Sequence, residues 1–184
     1  MVSKEQTRAF VPLLILFVVI WAVEVVNYVL GHRLNHLGLL PRSASGLVGI
    51  PLSPLLHGNF AHLIANSAPL LILGGLVSLR GHQAFVGTTI GITLIGGLAV
   101  WLLARNALHV GASGLVFGYF GYLVGRAWLE RSLRAIVPAG VAVVLYAGLV
   151  WGVLPTERGT SWESHLFGLL AGVLMSRLMR DRRR

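Results

Sequence analysis

A chain of 184 residues with 55% hydrophobic and 11% charged residues, at a mean hydropathy of +0.78, is too apolar for a soluble domain, which carries roughly a quarter charged residues. It has no cysteine, which excludes disulfides, thiol catalysis and Cys-ligated metals. The formal charge of +9 would suit nucleic acid, but it falls in short clusters at the ends of apolar stretches, so it is read as membrane topology and no nucleic-acid partner is expected.

A bilayer core about 30 Å thick takes roughly 20 apolar residues per helix. Six spans are predicted, over Phe10–Gly31, Phe60–Leu79, Ala84–Ala104, Ser113–Leu129, Ala135–Gly152 and Ser164–Met179, giving an all-α membrane bundle with residues 1–184 as one domain. The first stretch is longer than a signal-peptide core and lacks a small-residue cleavage site, so it counts as a span. Glu24 and Asn27 within it are expected to make an internal hydrogen bond. The connection that follows, His32–Leu56, holds Pro41, Pro51 and Pro54 among many leucines. Irregular backbone at membrane depth must be buried in protein or partly hydrated, so this loop is placed in the interface against the bundle.

His57 stands just before the second span and His62 and Asn66 lie within its first turns, the last two four residues apart and hence on one helical face. Their bland reading is interhelical hydrogen bonding. In the fourth span Gly111, Gly114, Gly118, Gly121 and Gly125 recur at intervals of three and four, which at about 100° per residue confines them to roughly an 80° sector. His165, Gly168, Gly172 and Ser176 do the same in the sixth. Two such faces can meet at backbone distance, and their contact would bring His165 towards Ser113 at the start of the fourth span. Glycine packing alone explains the stripes but not the histidine. His82 and His109 are read as loop residues, and Glu163 as facing water.

Six spans put both termini on one side, where eleven basic residues lie against four on the other, so the termini are expected in the cytoplasm. Ser113, His165, His62 and Asn66 then share one depth near the outer face. A nucleophile, a candidate base and two side-chain donors from three helices satisfy the geometric requirements of acyl transfer.

Taken together, His57, His62 and Asn66, the Gly111-Ala112-Ser113-Gly114 string, and His165 with Gly168 and Gly172 resemble the rhomboid intramembrane serine proteases, in their bacterial six-span form. The resemblance covers essentially the whole chain. It implies a Ser113–His165 dyad without a carboxylate and without cofactor or metal. It also implies an oxyanion hole from the Ser113 amide with His62 and Asn66, and Phe117 stacked on His165. Where the family often has Tyr this chain has Phe117, so His165 is expected to be oriented by packing alone at that edge. Ser164 stands where Ala often precedes the histidine, and the Trp-Arg pair that some members carry in the first loop is missing. Substrates would be membrane proteins with helices weakened near the outer face of the cell membrane. A hydrated vestibule lined by His57 and Asn59, capped by the connection Val153–Glu163, is expected to supply water. The readings weighed against this are an inactive relative that binds membrane clients, a small transporter or haem protein using His57, His62 and His165, and a zinc peptidase, for which no His-Glu-x-x-His occurs.

Overall fold

The computed structural model describes residues 4–155 and 161–179. Six long helices dominate it: α1 Lys4–Val29, α2 Phe60–Ser78, α3 His82–Leu103, α4 Ser113–Glu130, α5 Leu133–Tyr146, and α6 Trp162–Leu178. A 3-10 segment, Ala147–Val153, prolongs α5. Each predicted span becomes one helix, with ends shifted by a residue or two except at the start of α1 and at the end of α5, where the 3-10 segment covers the last residues of the span. Extended pairing among the described residues is limited to an isolated bridge between Leu39 and His109.

Four of the helical stretches, Arg8–Val29, Phe60–Ser78, His82–Leu103 and Leu133–Val153, are long and apolar enough to cross a membrane, and the protein is an integral membrane protein. The other two, α4 and α6, carry more polar and small residues for a structural reason. The helix at the centre, α4, buries ten residues from Leu115 to Arg126, so neighbouring helices rather than lipid surround it and it needs no apolar outer surface. Its partner α6 lies on the glycine stripe. A β-carbon at Gly168 would collide with the Gly114 carbonyl, one at Gly172 with the Gly118 carbonyl, and one at Gly121 with the Leu169 carbonyl. Backbone therefore rests on backbone along the seam.

At the end of α4 far from Ser113, the buried Arg126 guanidinium donates to the carbonyls of Met179 at 2.9 Å and Ser176 at 3.4 Å. The last carbonyls of α6, which have no intrahelical donor, are satisfied there. Glu130 pairs with Arg126 and accepts from Arg80 at 2.6 and 2.9 Å, so the charge is compensated where it is buried. In α3 the turn Ile92–Gly96 is a π-helix, whose extra residue broadens the helix where Gly96 faces the backbone of α6 at Phe167.

The first loop folds as short helical turns over Arg33–Leu37, Ser45–Leu47, Gly49–Leu52 and Ser53–Leu55. It is pinned to the C-terminal end of α3, since Trp101 Nε1 donates to the Ser43 carbonyl at 2.9 Å and Arg42 Nη1 to the Ala104 carbonyl at 2.7 Å. Leu39 is buried while Leu37, Leu47 and Val48 stay exposed, so one side of the loop packs on protein and the other presents apolar surface outward.

Candidate active site

Ser113 is the first residue of α4, and the turn leading into it is shaped by the first loop. Gly111 adopts φ +120°, a conformation that side chains rarely tolerate, and its N–H donates to the Ser53 carbonyl at 2.9 Å. The next amide, Ala112 N–H, donates to His57 Nε2 at 3.3 Å. Both amides before Ser113 are thus taken, while the Ser113 N–H at the helix start has no intrahelical acceptor. A donor so placed suits an anion.

His62 lies against the same turn. A β-carbon at Gly111 would come within 2.7 and 2.8 Å of His62 Cε1 and Nε2, so glycine is required there for room as well as for φ. Asn59 caps α2 by accepting from His62 N–H at 2.8 Å. The buried Asn66 donates through Nδ2 to the His62 carbonyl at 2.9 Å, which engages one of its two amide hydrogens.

His165, also buried, stacks on Phe117 with ring centroids 4.1 Å apart and planes 8° from parallel. Packing is not its whole support, contrary to expectation. His165 Nδ1 bonds to the Gly152 carbonyl at 2.8 Å. A carbonyl only accepts, so Nδ1 carries the proton and Nε2 keeps its lone pair. Gly152 comes from the 3-10 segment after α5, and nothing in its sequence surroundings signals the role. Its lack of a side chain matters too, because a β-carbon there would lie 2.7 Å from Phe117 Cζ. Gly152→Val should displace Phe117 and loosen His165, lowering the melting temperature in detergent and shifting the His165 ring resonances.

The α4–α6 seam carries Ser113 and His165 at one end, with Gly168 against Gly114. Ser113 Oγ makes no hydrogen bond to a described residue. A narrow cavity of about 40 Å³ opens beside the turn, lined by apolar residues such as Leu39, Ile50 and Ile92 together with Ser53, His109 and Ser164, and it is bordered by neither Ser113 nor His165.

Three other expectations are corrected. His57 does not line an open vestibule: it is fully buried beneath the turn that enters Ser113, with its ring 5.1 Å from that of His62, and of the expected lining pair Asn59 alone is exposed. Glu163 does not face water but is buried 3.4 Å from Arg105 Nε, because the loop before α4 folds over the start of α6. His82 is not in a loop but opens α3, whereas His109 is a loop residue as expected, buried beside Glu163, bonded to Ser161 Oγ and 3.5 Å from Ser164 Oγ. Residues 156–160 of the expected cap lie outside the described residues.

Burial lowers the His57 imidazole from 6.5 to about 4, and His62 nearby adds to the effect. The Leu55 carbonyl works the other way, although no acceptor sits in bonding geometry at Nδ1. Because the folded value is depressed, unfolded chain takes up a proton that folded chain refuses as pH falls from 6.5 towards 4. Stability should fall across that window by on the order of 3 kcal/mol. Thermal melts in detergent at several pH values would follow it, and His57→Gln should flatten the dependence.

Comparison with known proteins agrees with this architecture. The family model for the Rhomboid domain matches residues 44–182. An uncharacterized protein of Mycobacterium tuberculosis is 37% identical over 169 residues, covering 87% of this chain and 70% of that protein. One of Mycobacterium leprae is 33% identical over 178 residues, covering 92% and 70%. YdcA of Bacillus subtilis, named provisionally as a rhomboid protease, is 29% identical over 126 residues, covering 66% and 62%. The chain belongs to the rhomboid family.

Proposed function

We propose that the protein is an intramembrane serine endopeptidase that cuts membrane-spanning substrates near the outer face by a Ser113–His165 dyad. The observation that carries this reading is the hydrogen bond from His165 Nδ1 to the Gly152 carbonyl, which leaves Nε2 as the basic nitrogen a serine nucleophile requires. Ser113 is too weak an acid to attack unaided. His165 Nε2 takes its proton as Oγ attacks the scissile carbonyl, then returns the proton to the leaving amine. Water next attacks the acyl-enzyme with the same base, giving up its proton to Nε2, and Ser113 Oγ leaves and regains a proton from it. The negative charge of each tetrahedral intermediate is met by the free Ser113 N–H, His62 and Asn66. Phe117 and Gly152 hold the base, while Gly111, Gly114, Gly168 and His57 shape the backbone around it.

In this reading all six helices span the cell membrane, α4 and α6 being sheltered by the others, and both termini are cytoplasmic. Substrates are membrane proteins whose helices unwind near the outer face, since a helical backbone hides its carbonyls in internal bonds.

A fluorophosphonate probe applied to purified protein tests the nucleophile without a known substrate. Labelling should map to Ser113 and vanish in Ser113→Ala and His165→Ala. Intact protein that takes no label would instead be a client-binding relative without catalysis.

A further inference from the structure

Glu24 and Asn27 lie on α1, ahead of the family match that begins at residue 44, and no step above uses them. Both are fully buried, in a span where polar groups are costly. The Asn27 side chain reaches both ends of the first loop. At the start of the loop its Oδ1 accepts from Leu34 N–H at 3.0 Å, and its Nδ2 donates to Asn35 Oδ1 at 3.0 Å. At the far end the same Nδ2 is 3.4 Å from the His57 carbonyl, and Glu24 Oε2 lies 3.4 Å away on its other side. Two amide hydrogens are thus shared among several acceptors, with Asn35 the nearest.

From the far end the connection runs on to the nucleophile. His57 Nε2 accepts from Ala112 N–H, and the Ser53 carbonyl, also in the loop, accepts from Gly111 N–H. The loop is therefore the template on which the two residues before Ser113 are laid, and Asn27 closes it like a clip. We propose that Asn27, with Glu24 behind it, is a positioning residue that acts through His57 to set the backbone entering Ser113. This rests on the reading of Ser113 as nucleophile for its consequence in catalysis, but not for its consequence in structure.

The test uses the full chain in detergent micelles. Hydrogen exchange at the Gly111 and Ala112 amides is measured alongside the kinetics of reporter cleavage, for wild type, Asn27→Ala, Asn35→Ala, His57→Ala and the double variant Asn27→Ala/His57→Ala. Asn27→Ala should speed exchange at both amides about tenfold and lower kcat by a similar factor with KM little changed. Asn35→Ala, which removes the nearest acceptor of Asn27 Nδ2 at a half-buried position, should do the same more weakly and keeps the test open if Asn27→Ala does not fold. The double variant should be no slower than His57→Ala, since groups acting through one another are not additive. Unchanged exchange at Gly111 and Ala112, or losses that multiply in the double variant, would overturn the proposal. If wild type neither cleaves nor labels, the endopeptidase reading fails, and exchange alone judges the clip.

Discussion

Alanine at Gly172 is expected to cost about 3 kcal/mol of stability, at the upper end of the range for overpacking, because the obstacle is backbone rather than a movable side chain. The new β-carbon would overlap the Gly118 carbonyl, so α6 must lift from α4 along the seam that carries the site. Gly168→Ala meets the Gly114 carbonyl in the same way, one turn below His165, and should lose activity as well as stability. Gly140 supplies the contrast. Nothing lies within 4 Å of a β-carbon there, so Gly140→Ala should be neutral or stabilising by up to about 1 kcal/mol through its gain in helix propensity. Melting curves of the three variants in one detergent separate tight interhelical packing from a general intolerance of substitution.

Asn66→Ala is expected to lower kcat by about 10² to 10³, the usual loss for one oxyanion donor. Its folding cost should be small, since the bond it makes is to a carbonyl of its own helix and membrane hydrogen bonds contribute only ~0.6 kcal/mol on average. His62→Ala should match it in rate but also empties the space against Gly111, so Asn66 is the cleaner probe. A raised KM at constant kcat would assign Asn66 to substrate binding instead.

Much of this architecture is legible in the sequence because membrane helices leave a strong signal. Six apolar stretches mark six helices, and the glycine spacing on either side of Ser113 and after His165 identifies the α4–α6 seam. The family resemblance implies Phe117 stacked on His165, and the structure has the two rings stacked. What the sequence hides depends on contacts between distant segments. Gly152 acts through its backbone carbonyl, which every residue has, so no residue type advertises it. The burial of His57 and Glu163 follows from loops folding inward over the site, whereas polar residues beside a span ordinarily face water. The π turn in α3 has no distinctive residues, only a glycine-rich neighbourhood. Asn27 looks isolated until the first loop brings Leu34, Asn35 and His57 to it.

Cleavage of a single-span reporter reconstituted with the purified protein in liposomes bears most directly on the Ser113–His165 dyad. Wild type should release the outer fragment, while Ser113→Ala and His165→Ala, folded to the same melting temperature, should give none above background. Cleavage that persists in either variant would contradict the mechanism.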